Sequence, residues 1–394
     1  MSQRPLNVGI IGGGGGAFIA HPHQRAIFFD GTRRVTCAAL HQDPTLATKY
    51  ANEWPYPIIG YPHYETMIKA EGKKPLGERM DYCLIVTPNN VHFEPAVACL
   101  EAGIPVFCEK PMTMNVGEAI VLAERRKSLN VPFGVAHTYI GHWTSLFSRW
   151  IVRALHLLGN VRRVDAHYWQ GWLSGRTEDT GVQQAEWRVD PERAGASGCG
   201  GDIGTHAYMQ LRFVTGLEVA EILYANLANF VHDRQLDDNF TTICRLSNDA
   251  EAHICASQVM IGHKNDLGLE VTGTKGSLVW RQEESEKVVI HLPNQPDRVY
   301  WRGSIQPNDG FLPDVPTGLL EESKVPSGHA EGFHDAFARL HRHFEDDVRR
   351  WQVGVLPKWE GSRYASVDDG LKHMQFIAAA VKSSAEKKPV LMEQ

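Results

Sequence analysis

The sequence predicts an α/β chain of two domains, a doubly wound parallel sheet followed by an α+β domain built on a large, mostly antiparallel open sheet. Three observations support this. Up to residue 138, short β-branched runs alternate with helical stretches of roughly 10–15 residues, the rhythm of a parallel sheet with crossover helices. From residue 139 onward, strand-like runs follow one another across short polar turns, which indicates antiparallel pairing. The length of 394 residues accommodates two domains of roughly 100–200 residues or more. The expected division is therefore 1–138 and 139–394.

In the first domain, Leu6 to Ile11 is an apolar run ending in glycines, as a buried parallel strand requires. A helix follows from Pro22 to Phe29, then a strand from Arg33 to Leu40. Asp43 to Trp54 reads as a helix, with Asp43 able to cap its start and Pro44 at its first position. Asp81 to Thr87 is a third strand, broken by Pro88 and Asn89. The helix from His92 is ended by Gly103 in the C′ role. Pro105 to Pro111 gives a strand, Asn115 to Asn130 a helix and Pro132 to Thr138 a strand. Right-handed crossovers place all the helix starts at one edge of such a sheet, where ligands bind.

In the second domain, a long helix is expected from His142 to Leu158, then an aromatic-rich strand from Arg162 to Trp172. Gly200 to Gly216 reads as a further helix. Strands are expected within Glu218–Val231, Asn239–Ser247, Glu251–Met260, Leu267–Gly273, Ser277–Gln282 and Lys287–Leu292. The Pro- and Gly-rich stretch from Asn294 to Pro326 reads as an irregular excursion. Two helices close the chain, within Gly328–Trp351 and Ser366–Lys387. There is no internal repeat.

Composition narrows the function classes. Hydrophobic residues make up 43% and charged residues 22%, ordinary for a globular enzyme. The net charge of −6, without a basic block, argues against a nucleic-acid surface. The seven cysteines contain no C-x-x-C pair and read as buried thiols of a reducing compartment. The N-terminal apolar run passes straight into glycines, unlike a signal peptide, and no apolar stretch approaches the length of a membrane span. The expectation is a cytoplasmic enzyme with a small-molecule substrate.

The first turn reads Gly12-x-Gly14-x-x-Ala17, with Phe18 and Ile19 next. A tight turn at Gly12, close backbone approach at Gly14 and close helix packing at Ala17 suit a dinucleotide pyrophosphate above a helix N-terminus. A bare glycine pattern is weak evidence, but its place after the first strand of a βαβ series points to a Rossmann domain. A carboxylate at the end of the second strand commonly takes the adenosine ribose of NAD. Here those positions are His41 and Gln42, while Asp43 is better used as a cap. NAD is favoured, with NADP as the alternative and Lys49 as the cation available to it.

Two features suggest chemistry. Cys108-Glu109-Lys110-Pro111 ends a strand at the ligand edge, where a lysine ammonium can bind a hydroxyl and stabilise a developing alkoxide. Asp202 and His206 lie one helical turn apart, and histidine exchanges a hydroxyl proton near neutral pH while aspartate orients it. Taken singly, a solvated lysine and a local Asp/His hydrogen bond are the commoner readings.

In combination, the run from Thr87 to Met112 with Gly200 to Ala207 resembles the glucose–fructose oxidoreductase/inositol dehydrogenase/MocA family over essentially the whole chain. Parts of the second domain resemble its levoglucosan dehydrogenase-like branch. The resemblance implies a nicotinamide-dependent dehydrogenase acting on a secondary alcohol of a sugar, anhydrosugar or cyclitol. It carries the catalytic roles to Lys110, Asp202 and His206. It places Thr87, Pro88, Asn89, His92 and Glu109 beside the nicotinamide, and His23 rather than His21 at the histidine of the first turn. The family also contains NAD-assisted glycosidases, the alternative reading, and is generally oligomeric, so a homodimer or homotetramer is expected, with the open sheet face as its surface.

On the substrate side, Trp172, Trp187 and Arg188 offer ring faces and a guanidinium suited to a pyranose, as does Trp169. Burial of the tryptophans in the core is an equal alternative. His329 and Glu331, before a helix, are candidates for the same role or for a helix start. The 19 histidines include no H-E-x-x-H and no suitably spaced cysteine partner, so no catalytic metal is expected.

Overall fold

The computed structural model describes residues 4–307, 310–355 and 362–393. The chain forms two compact units, Met1–Thr138 with Phe333–Met374, and Tyr139–Gly332 with Gln375–Gln394. The late segment Phe333–Met374, which the expected division 139–394 would include in the second domain, clusters with the first unit.

The first unit holds strands β1 (Leu6–Gly12), β2 (Arg33–Ala39), β3 (Ile59–Gly60), β4 (Tyr82–Val86), β5 (Val106–Cys108) and β6 (Phe133–Val135). Their spatial order is β6-β5-β4-β1-β2-β3, all parallel, with the short Ala365–Ser366 strand antiparallel on β6. The order reverses between β1 and β4, the switch point where open α/β sheets bind ligands. The connecting helices are α1 (Ala20–Phe28), α2 (Pro44–Asn52), α3 (Tyr64–Glu71), α4 (Phe93–Glu101) and α5 (Val116–Leu129). Asp43 caps α2 as expected, accepting from the Thr45 and Leu46 amides. The pair α3 and β3 was not expected; β3 is only two residues long and carries too little pattern to read.

The helix Phe333–Gln352 packs along α1. Its buried stripe Ala336, Phe337, Leu340, Phe344 and Val348 has helical three- and four-residue spacing. Phe344 stacks on Phe107 of β5, ring centroids 5.0 Å apart. A buried ion pair fastens the same helix to β2: Arg33, 2% exposed, donates from Nη1 to Glu345 at 2.5 Å and from Nη2 to Asp30 at 2.8 Å. These contacts explain why the late helix belongs to the first unit.

The second unit is a nine-stranded sheet. Strands β7 (Val161–Trp169), β8 (Val219–Ala228), β9 (Asn239–Leu246), β10 (Glu251–Ser257), β11 (Asp266–Gly273), β12 (Ser277–Arg281), β13 (Lys287–His291) and β14 (Arg298–Trp301) stand in the order β14-β13-β12-β11-β7-β10-β9-β8. Val390–Leu391 is added at the β8 edge. Only the β7–β10 pair is parallel among these ladders, so the sheet is mostly antiparallel. β14 and a short helix at Thr317–Leu320 correct the expected excursion from Asn294 to Pro326, whose Pro and Gly content hides them; residues 308 and 309 of that stretch lie outside the described residues. The expected helix His142–Leu158 is shorter. It runs Trp143–Arg149 and continues in a wide turn to Ala154, ended by His156 and Gly159 at positive φ.

Glu345→Ala would leave the Arg33 guanidinium buried beside Asp30 alone, and a loss of about 3–5 kcal/mol of stability is expected. Denaturant unfolding checks this; a loss below about 1 kcal/mol, the range of a surface pair, would contradict the assignment.

Candidate active site

The glycine turn sits at the switch point, between the ends of β1 and β4. Gly12 has φ +85°, and a Cβ there would lie 2.8 Å from Thr87 Cγ2, so only glycine serves. The Gly14 amide donates to Leu40 O at 3.0 Å, and a Cβ on Gly14 would lie 2.7 Å from that oxygen and 2.5 Å from Tyr50. Glycine is thus required at Gly14 by the end of β2 as well as by any phosphate. The turn is longer than the motif suggests, because α1 begins at Ala20. Ala17 lies in the turn, and the close helix–strand approach falls instead to Ala20, whose Cβ would be 2.8 Å from a Cβ on Gly13. Phe18 is exposed and Ile19 half-buried before the helix start. This glycine cradle fits a dinucleotide pyrophosphate.

At the end of β2, His41 Nδ1 accepts the Asp43 amide at 2.9 Å, while Gln42 is exposed. The Asp43 carboxyl is held below its usual range by the amides it caps. Asp43 is therefore a cap, as expected.

The ends of β4 and β5 are tied by His92, which is fully buried. Its Nδ1 is 2.8 Å from Pro111 O and its Nε2 2.9 Å from Thr87 O, and the neutral ring, with one N–H, donates to one of these two carbonyls. Burial lowers its pKa despite both carbonyls. Thr87, Pro88 and Asn89 thus stand at a fixed separation from Lys110, and His92 is the strut between them. Lys110 is half-buried, and its backbone amide donates to its neighbour Glu109 Oε2 at 3.1 Å. Its positive charge lies close enough to His92 and His137 to disfavour their protonation. The Glu109 carboxylate is buried, with Oε1 2.8 Å from His23 Nε2.

In the second unit, Gly200–Gly204 forms one wide π turn that opens the helix Thr205–Thr215, so Asp202 and His206 lie at its start as expected. The turn is clamped by Asp237, whose buried carboxylate accepts the Gly198 and Gly200 amides. Gly200 lies against Phe240, where a Cβ would approach to 2.4 Å. Asp202 Oδ2 accepts from Arg188 Nε at 2.8 Å and Gln258 Nε2 at 2.9 Å. Arg188 in turn lies over Trp187 and Trp172, 4.1 and 5.6 Å from their centroids.

The His206 ring is 7% exposed and meets Tyr139 and Tyr168 edge-on, at 4.9 and 6.0 Å. Those hydroxyls are 2.6 Å apart, and Tyr168 donates to Asn265 Oδ1. Gln170 joins Asn265 to the Trp172 indole. Residue patterns could not single out Tyr139, Tyr168, Gln258 or Asn265, because each is distant in sequence from His206. His329 has an exposed side chain; its carbonyl accepts from Arg302 and its amide donates to Pro326 O at 3.2 Å. Glu331 is buried, accepting the Lys324 amide and facing Arg302, so it serves the loop before the helix. Trp169 stacks on His167. Among the described residues no acidic, His or Cys cluster could hold a metal, and no helix is long and apolar enough to cross a membrane.

The dinucleotide-type glycine cradle at the switch point of the first unit is that of a nicotinamide-dependent oxidoreductase. Residues 6–137 match the oxidoreductase family with an NAD-binding Rossmann fold, and residues 154–279 match the GFO/IDH/MocA C-terminal domain. The chain belongs to the GFO/IDH/MocA family. It is 26% identical over 391 residues to the uncharacterized oxidoreductase YfiI of Bacillus subtilis, covering 97% of this chain and 95% of that one. It is 27% identical to levoglucosan dehydrogenase of Pseudarthrobacter phenanthrenivorans over 62% of this chain and 68% of that protein. The structure superposes with a TM-score of 0.89 on an inositol dehydrogenase homolog from Azotobacter vinelandii in complex with NAD+, at 28% identity, covering 98% and 97% of the two chains.

Burial holds His92, His137 and His341 below the ordinary histidine value of 6.5. Below about pH 6.5 the unfolded chain therefore binds more protons than the folded one, and the stability these groups contribute is lost as pH falls. Denaturant midpoints should drop between about pH 7 and pH 5; a midpoint that rises over that interval would contradict neutral, buried rings.

Proposed function

We propose that the protein oxidises a secondary hydroxyl of a sugar, anhydrosugar or cyclitol with NAD. The observation that carries this reading is the setting of His206: a buried imidazole at a helix start, walled by Tyr139 and Tyr168, one turn from an Asp202 carboxylate fixed by Arg188 and Gln258. Such a ring can take a hydroxyl proton while its orientation is held.

Gly12, Gly14, Ala17, Phe18, Ile19, His41 and Gln42 would hold the nucleotide portion, and Thr87, Pro88, Asn89, His92 and Glu109 would frame the nicotinamide. NAD, when bound, supplies the hydride acceptor. His206 acts as the base, Lys110 supplies the cation that stabilises a developing alkoxide, and Asp202 orients the histidine or a neighbouring hydroxyl. Trp172 and Trp187 offer ring faces to a pyranose or cyclitol, and His329 offers an exposed imidazole to its hydroxyls. Arg188 serves the substrate chiefly by fixing Asp202. The names of the relatives, levoglucosan dehydrogenase and an inositol dehydrogenase homolog, support this substrate class. A homodimer or homotetramer in the cytoplasm belongs to the same proposal, and the free thiols suit that compartment.

His206→Ala and Lys110→Ala should each lower kcat by about 10²–10⁴-fold with NAD affinity largely retained. Steady-state rates on a panel of monosaccharides, anhydrosugars, glycosides and cyclitols, with NAD titrations, check this. Wild-type turnover by both variants would overturn the roles, and sugar release without accumulating NADH would overturn the reaction.

A further inference from the structure

Behind Lys110, and ending on Glu109, lies a chain of three buried polar groups, His23, His341 and Tyr82, that the dehydrogenase reading does not use. Glu109 Oε1 is 2.8 Å from His23 Nε2, His23 Nδ1 is 2.8 Å from His341 Nε2, and His341 Nδ1 is 2.9 Å from the Tyr82 hydroxyl. His23, His341 and Tyr82 are all 0% exposed. They come from α1, the helix Phe333–Gln352 and β4, all within the first unit. The rings are packed by Phe107 and Phe337, with His23 4.5 Å from Phe337 and His341 4.9 Å from Phe107.

The direction of every hydrogen bond follows from one end. Among the described residues, the Tyr82 hydroxyl has a single hydrogen-bond partner, His341 Nδ1. A fully buried O–H without an acceptor costs about 1–3 kcal/mol, so Tyr82 must donate. His341 Nδ1 is then the acceptor. Burial, His23 and the nearby Arg33 all oppose a second proton on that ring. Its one proton therefore sits on Nε2 and points at His23 Nδ1. His23 Nδ1 accepts, so its proton sits on Nε2 and points at Glu109 Oε1. Glu109 accepts at that oxygen and, at Oε2, from the Lys110 amide at 3.1 Å.

We infer that Tyr82, His341 and His23 form a one-way hydrogen-bond chain that makes Glu109 an acceptor at both carboxylate oxygens and thereby positions Lys110. The three are positioning residues, acting through Glu109 on the strand end that carries the lysine. The reversed chain, with His23 doubly protonated and His341 Nδ1–H facing Tyr82, is excluded because it strands the phenol proton. The consequence for turnover rests on the reading of Lys110 given above; the polarity of the chain does not.

Two measurements test it. In protein labelled with 15N-histidine, the ring nitrogen shifts of His23 and His341 should both report the Nε2–H tautomer with an unprotonated Nδ1. An Nδ1–H signal on His341, or two protonated nitrogens on His23, would overturn the polarity. His23→Leu removes the donor to Glu109 and should lower kcat roughly 10- to 100-fold with NAD affinity nearly unchanged, the scale of a displaced catalytic group. His23→Gln places an amide N–H where Nε2–H stood and should restore most of that loss. Equal kcat for His23→Leu and wild type, or a His23→Gln variant as slow as His23→Leu, would overturn the positioning role. The nitrogen shifts are read without substrate, so a failure of the dehydrogenase reading is told apart from a failure of this one.

Discussion

A buried carboxylate needs a donor at each oxygen, and the demand made by Glu109 organises the first unit. One oxygen is met locally by the Lys110 amide, the other by His23 from α1. With its Nε2 turned to Glu109, His23 leaves a buried Nδ1 that is costly without a partner, and His341 meets it from a segment more than 200 residues further along the sequence. His341 is satisfied in turn by Tyr82 of β4. The Arg33–Glu345 pair fastens the same helix one turn further on. Together these contacts account for a C-terminal helix packing within an N-terminal nucleotide-binding unit.

The second unit solves a similar problem with different chemistry. Asp202 receives an arginine and a glutamine, and the arginine is itself held over two tryptophan rings. Both units thus immobilise a carboxylate beside a group suited to proton chemistry, Lys110 in one and His206 in the other. Rigid orientation of this kind is where much of the gain in proton transfer arises, since a misplacement of about 1 Å costs far more than a weakened hydrogen bond.

Local chemistry was legible in the sequence, and long-range chemistry was not. Gly12 could be identified because a positive φ at the end of a first strand has few other occupants, and Asp43 because a cap followed by proline is a local signature. The register of five consecutive glycines hid the longer turn, so the close packing expected at Ala17 is made at Ala20. Lys110, Asp202 and His206 stood out only as a combination. His341 stands two residues from His343 on the amphipathic helix Phe333–Gln352, and Tyr82 begins a buried strand. Nothing nearby in the sequence marks either as a partner of Glu109, because the fold alone brings them together. Tyr139 and Tyr168 were missed for the same reason. β14 was lost in a stretch whose Pro and Gly content masks a four-residue strand.

The most direct measurement of the central claim, that this fold removes a hydride from a carbinol carbon, is isotope transfer from cyclitols and anhydrosugars deuterated at the ring carbons. With a substrate of the proposed class, deuterium should appear on the nicotinamide as reduced cofactor accumulates, with a keto product formed in equal amount. Deuterium retained in the sugar, or a hydrolysed product with no label on the cofactor, would contradict it.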